Sequence, residues 1–275
     1  MRLSGPGAAA ADQQPGVGIL AGVKPPRVLL FDVFGTLVDW RSSLVDIAMA
    51  IAAVPDMAPG QVSAGAGRGG AEPGWASAEA GWAGIIDDWR RAYQPAMDQV
   101  RQGAAWRDLD SLQRETLAAV LARHGIDLPA AASETLVRGW RQLRPWPDCR
   151  EGLDRLRGRH VTATLSNGHL ALLADLLKFA DLRVDAVLSA QLADGYKPDP
   201  KVYRTALRLL DCPPGDTAMV AAHPSDLRAA AALGLRPVFI RRPLEWGPDA
   251  PPATPPALDG LLVADGLVDL AAALR

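Results

Sequence analysis

The chain has 275 residues, 49% of them hydrophobic and 22% charged, with a formal net charge of −2. That length supports one large or two modest globular domains, and the near-neutral charge lacks the basic footprint of a nucleic-acid partner. No run is long and apolar enough to span a bilayer, and the opening MRLSGPGAAAADQQPG lacks the apolar stretch of a signal peptide, so a cytoplasmic protein without a membrane partner is expected.

Residues 1–24 have no periodicity and are expected to form a disordered tail. The run RVLLFDVF from Arg27 to Phe34 lies between Pro25–Pro26 and Gly35, and is nearly continuous apolar, the pattern of a strand buried on both faces. More than a hundred residues then read as helical, so residues 42–145 are expected to be an inserted helical domain. Within it the Gly/Ala-rich stretch 58–74 is expected to be flexible. A helical pattern from Ala80 to Gln102 contains Pro95, which should break or kink it. Asp108 is a plausible N-cap for a helix with Leu109, Leu112, Leu117, Val120 and Leu121 on one side, ending at Gly125. Another helix is expected from Ser133, stopping before Pro145. Short apolar runs return at VTATLSN (161–167), DAVLSA (185–190), TAMVAA (217–222) and RPVFI (236–240), separated by helical stretches. This alternation predicts an α/β fold, a doubly wound parallel sheet built from residues 25–41 and 146–275. The Pro-rich RRPLEWGPDAPPATPP reads as a surface loop. Cys149 and Cys212 have no metal-ligand spacing and are expected as packing residues.

In an open parallel sheet the ligand site forms beyond the carboxyl ends of the strands. The residues there are Asp32 after the first strand, Ser166 and Asn167 after the second, Lys197 in the loop after the third, and His223 and Asp226 after the fourth. Singly, an Asp or Asn after a strand is often a turn residue or helix cap. Convergence from four segments makes a site the better reading.

The segments FDVFGTLVDW, SNG (166–168), YKPDPKVY (196–203) and Asp226 within VAAHPSDLRAAAALG resemble the haloacid dehalogenase superfamily, and within it the type II (L-2-haloacid) dehalogenases. The resemblance runs over roughly residues 27–245 and implies a small 2-haloacid substrate, no metal or other cofactor, a helical cap domain and a homodimer. It implies that Asp32 is the nucleophile, paired with Lys197. A carboxylate has an ordinary pKa of about 3.9 and is already ionised at neutral pH. It can form an ester that water later opens. Ser166 and the amides of Val33, Phe34 and Asn167 are expected to hold the substrate carboxylate. Arg90, with Asn167 assisting, is expected to receive the halide, although the adjacent Arg91 competes for that role. Asp226 is expected to be the base for water, which would attack the carboxyl carbon of Asp32 and leave the product inverted. Tyr203 could orient the charged network, and Trp89 and Tyr93 suggest a compact apolar site.

Departures from phosphatases of the superfamily point away from phosphoryl transfer. Two positions after the nucleophile, where those enzymes carry an acid for the leaving alcohol, this chain has Phe34. Four positions before Asp226, where they carry a magnesium ligand, it has Ala222. Relative to well-known dehalogenases, Ala221 replaces a serine and His223 an asparagine, which could reduce activity or alter the substrate; a histidine there could titrate near neutral pH. A phosphatase of a small metabolite and a weakly catalytic carboxylate-binding protein are the competing readings.

Overall fold

The computed structural model describes residues 24–54, 60–61 and 75–275. The expectations for the tail and for most of the Gly/Ala-rich run lie outside the described residues. Within that run, Gly60–Gln61 pairs antiparallel with Ile126–Asp127.

Six parallel strands form one sheet: β1 (Val28–Phe31), β2 (Val161–Ser166), β3 (Ala186–Ser189), β4 (Thr217–Ala221), β5 (Arg236–Ile240) and β6 (Leu262–Ala264), in the order β6-β5-β4-β1-β2-β3. The first five were legible as apolar runs because a strand covered on both faces has no polar side to alternate with. β6 has only three residues, too short for a pattern. All four residues of β1 and all five of β4 are buried, and the two pair in register from Val28 opposite Thr217 to Phe31 opposite Val220.

Among the described residues, five α-helices come between β1 and β2: α1 (Trp40–Ala52), α2 (Trp75–Arg101), α3 (Leu109–Arg123), α4 (Ala130–Arg138) and α5 (Cys149–Arg157). α1 packs on α2, α2 on α3 and α3 on α4, each burying one apolar stripe against the next. Asp108 caps α3 by accepting the Ser111 amide at 2.7 Å, and Asp39 caps α1 through Ser42 at 3.1 Å. Two boundaries differ from expectation. α4 begins at Ala130, because Pro129 precedes the first turn and needs no intrahelical amide bond. α2 runs through Pro95 without interruption: buried Trp89, Tyr93, Met97 and Val100 anchor it on both sides of the proline, and this packing offsets the lost amide bond.

After β2 the chain alternates helix and strand, with α6 (Leu170–Ala180), α7 (Pro200–Leu209), α8 (Pro224–Ala231) and α9 (Leu267–Ala273). α8 packs on β4 and β5, and α6 on β3. Cys149 and Cys212 are buried and unpaired.

Candidate active site

The sheet order puts β1 between β2 and β4, so the connections run to one side of β1 and then cross to the other. Asp32, the first residue past β1, stands at that reversal, where the open ends of three strands leave room for a ligand. Residues from β1, α2, the turn after β2, the Lys197 loop and the start of α8 enclose a cavity of about 130 Å³, lined by Asp32, Phe34, Arg90, Tyr93, Gln94, Asn167, Lys197, Pro198, His223, Ser225 and Asp226.

The Asp32 carboxylate is buried, and both its oxygens are engaged. Oδ1 accepts from Lys197 Nζ at 2.9 Å; Oδ2 accepts from Thr36 Oγ1 at 2.8 Å and from His223 Nδ1 at 2.9 Å. Thr36 is fixed in turn, because its hydroxyl oxygen accepts the Ala222 amide at 3.0 Å and leaves the hydroxyl proton for Asp32. Burial alone would push the Asp32 carboxyl up, but the charges and hydrogen bonds of Lys197 and His223 outweigh it and hold the group well below the usual carboxylate range.

Lys197 Nζ also donates to Asp226 Oδ2 at 2.5 Å, so one ammonium bridges two carboxylates. Burial would lower the lysine; the two carboxylates reverse this and raise it. Asp226 lies above the usual carboxylate range because burial, joined by the charge of Asp32, exceeds what Lys197 returns. Its other oxygen accepts from the Tyr203 hydroxyl, which burial and Asp226 together hold protonated. Asn167 Oδ1 accepts the backbone amide of Lys197 at 2.7 Å, and Arg101 donates to the Lys197 carbonyl at 2.7 Å. The lysine's backbone is therefore clamped from two sides.

The second charged chain runs through His223. Its Nδ1 meets Asp32 and its Nε2 meets Glu245 Oε1 at 2.9 Å. Two ionised carboxylates can only accept, so both ring nitrogens donate and the ring is an imidazolium. Burial would lower its pKa, but Glu245 and Asp32 push it up to about 10. Glu245 accepts a further bond from Trp40 Nε1 at 3.1 Å. Its carboxylate lies against Gly35, whose φ of 84° and lack of Cβ make the approach feasible: a Cβ there would sit 2.2 Å from Oε1.

Arg90 is 7% exposed, and its Nε has no hydrogen-bond partner among the described residues. The guanidinium lies 4.7 Å from the Tyr93 ring centroid and 5.4 Å from that of Trp40, so aromatic faces hold the cation while its donors stay free. Arg91, one residue on, is exposed, pairs with Asp88 at 3.3 Å and lies over Trp246. Of the two arginines only Arg90 lines the cavity.

Several expected site residues stand elsewhere. Trp89 is fully buried away from the cavity and donates through Nε1 to the Gln113 carbonyl at 2.9 Å; the helical period brings Arg90, Tyr93 and Gln94 to one face and turns Trp89 toward α3. Ser166 is fully buried at the end of β2, with Oγ accepting the Gly168 amide at 3.1 Å, and so supports the turn rather than the cavity wall. Val33 and Tyr203 also lie behind the wall, Tyr203 donating its hydroxyl hydrogen bond to Asp226. Thr36, Trp40, Gln94, Ser225 and Glu245 were not expected from the sequence. An FGT turn and a Pro-rich loop carry no periodic signal that would have marked Thr36 or Glu245.

A family model described as haloacid dehalogenase-like hydrolase matches residues 26–234. The chain belongs to the haloacid dehalogenase-like hydrolases. A curated relative, (S)-2-haloacid dehalogenase 4A of Burkholderia cepacia, is 30% identical over 140 residues, 50% of this chain and 61% of that relative. The crystal structure of the L-2-haloacid dehalogenase PA0810 superposes with a TM-score of 0.78 at 40% identity, covering 91% of this chain and 100% of that one. The defluorinating L-2-haloacid dehalogenase Rha0230 superposes with a TM-score of 0.77 at 34% identity, covering 91% and 95%. These likenesses set the chain in the L-2-haloacid, or type II, branch of the haloacid dehalogenase family.

The donor set departs from the magnesium site of the phosphatase branches at one position: four residues before Asp226 the chain has Ala222, which offers no side-chain oxygen. Among the described residues no group of three or more His, Cys, Asp or Glu side chains is placed to hold a metal ion. The ammonium of Lys197 lies between Asp32 and Asp226, where a cation bridging the two carboxylates would sit.

Proposed function

We propose that the protein hydrolyses short (S)-2-haloacids to 2-hydroxy acids and halide through an ester on Asp32, with inversion at C2. The observation that carries this reading is an ionised Asp32 facing, across a small cavity, an arginine with unspent donors. In the first step an Asp32 oxygen attacks C2, the carbon–halogen bond breaks, and the halide leaves with the electron pair toward Arg90. A halide needs no proton to depart, which suits Phe34 in place of an acid. The substrate carboxylate must approach Asp32, and two like charges 4 Å apart repel by about 4 kcal/mol at an effective dielectric of 20. Lys197, His223 and Arg90 supply the compensating charge, with the amides of Phe34 and Asn167 as donors to the substrate carboxylate. In the second step Asp226 takes a proton from water as it attacks the Asp32 carboxyl carbon. A cavity as small as about 130 Å³ suits a short acid rather than a bulky one.

Residues 42–145 serve in this reading as a cap, because α2 contributes Arg90, Tyr93 and Gln94 while the rest of the cavity comes from the sheet's open end. The resemblance to the dehalogenases further supports a homodimer, which a sizing experiment checks. Halide release from 2-chloropropionate with EDTA present tests the activity: release that persists without divalent metal and is abolished by Asp32→Asn is the expected result. Magnesium-dependent phosphate release from a generic ester in place of halide would contradict it.

A further inference from the structure

The two oxygens of Asp32 are not equivalent. Oδ2 accepts two hydrogen bonds, from Thr36 and His223, whereas Oδ1 accepts one, from Lys197. A carboxylate oxygen has two in-plane lone pairs. Oδ2 has spent both, and Oδ1 retains one for attack.

Resting on the dehalogenase reading, we infer that Oδ1 is the attacking atom and that Oδ2 becomes the ester carbonyl, so Thr36 and the Glu245-backed imidazolium of His223 form the oxyanion hole of the hydrolytic step. Alkylation forms the Oδ1–C2 bond and removes the charge of Asp32, leaving Oδ2 as a carbonyl oxygen still facing the same two donors. Water then adds to Cγ and gives a proton to Asp226, and the displaced electron pair moves onto Oδ2. There the developing charge meets an imidazolium proton and a hydroxyl proton already aligned. When the pair returns, the Cγ–Oδ1 bond breaks and the departing alkoxide takes a proton from Lys197 Nζ, its neighbour at 2.9 Å. Lys197 recovers a proton from the regenerated Asp32 carboxyl, and the proton on Asp226 passes to solvent. His223 keeps its proton throughout.

Glu245 is what makes this donor ionic. Once Asp32 is esterified, His223 loses one of its two carboxylate partners, and Glu245 alone holds the imidazolium charged. The charged and titratable groups around the ring are Asp32 from the end of β1, Glu245 from the loop after β5, Arg90 from α2, and Asp226 and Lys197 beyond Asp32. The arrangement gives the position a charged donor where a neutral amide would be weaker. A preorganised donor of this kind is worth about 10²-fold or more in rate.

Rapid-quench reaction of the enzyme with 2-chloropropionate, following halide and the mass of the intact protein, separates the two steps. His223→Ala should release one halide per site in a burst, accumulate the ester, and turn over about 10²-fold more slowly. His223→Asn, with a neutral donor of similar size, should fall between His223→Ala and the wild type. Glu245→Gln, nearly isosteric, should move the alkaline limb of the hydrolysis rate to lower pH while the burst persists. The inference is overturned if the His223 variants slow the halide burst as much as the turnover, if their turnover is unchanged, or if Glu245→Gln leaves the pH limb where it was. Absence of both halide and ester in the wild type would instead overturn the dehalogenase reading.

Discussion

Lys197 Nζ stands 2.9 Å from Asp32 and 2.5 Å from Asp226, a single ammonium shared by two buried carboxylates. Removing it leaves two like charges in a low-dielectric site with no common counterion. Lys197→Met should therefore destabilise the protein by about 3–5 kcal/mol, the cost of breaking a buried pair from one side. Urea denaturation compared with wild type checks this, and a loss under about 1 kcal/mol would mean that solvent already screens the pair.

The imidazolium of His223 makes stability depend on pH in a definite direction. Its pKa is raised from an ordinary 6.5 to about 10 on folding. The stabilisation it contributes is fully present below the unfolded value and is lost as pH climbs through the folded one. The denaturation midpoint of the wild type should thus decline between about pH 6.5 and 10. His223→Asn should flatten that decline, measured by urea titrations at several pH values on both proteins.

Adjacent arginines on α2 should behave oppositely. Arg90→Met removes a buried cation whose Nε has no partner among the described residues, and loss of a charged hydrogen bond of about 1.5–3 kcal/mol corresponds to roughly 10- to 10²-fold in kcat/KM for halide release. Arg91→Ala removes an exposed pair with Asp88 and an exposed contact over Trp246, and should leave kinetics and stability within about 1 kcal/mol of wild type. Equal effects from the two changes would contradict the assignment of Arg90 to the cavity.

Gly35 is required twice over, by its φ of 84° and by the carboxylate of Glu245 against it. Gly35→Ala should cost about 1–2 kcal/mol from backbone conformation alone. It should also displace Glu245 and lower the pKa of His223, visible in the imidazole chemical shifts during a pH titration by NMR.

Much of this site could be read from the sequence because strand ends in a parallel sheet leave clear marks. Asp32, Asn167, Lys197 and Asp226 each follow a short apolar run, and the resemblance ordered them. The resemblance favoured Arg90 over Arg91, but which of them lines the cavity depends on the turn of α2, which a sequence cannot orient without knowing what the helix packs against. The same uncertainty placed Trp89 on the cavity when it faces α3. Glu245 was hidden for a different reason: it reaches His223 from an aperiodic Pro-rich loop, and nothing local marks a glutamate there as buried. His223 was legible as a departure, but its charge state depends on Glu245 and could not be.

The account depends on the Asp32 carboxylate forming a covalent ester that water opens at the carboxyl carbon. A single turnover of excess enzyme with 2-chloropropionate in water enriched in oxygen-18, followed by mass analysis of the product and of the Asp32 peptide, tests this directly. The label should appear in the Asp32 peptide and be absent from the first-turnover hydroxy acid. Label in that acid with none in the peptide would mean that water attacks C2 itself and that Asp32 is not the nucleophile.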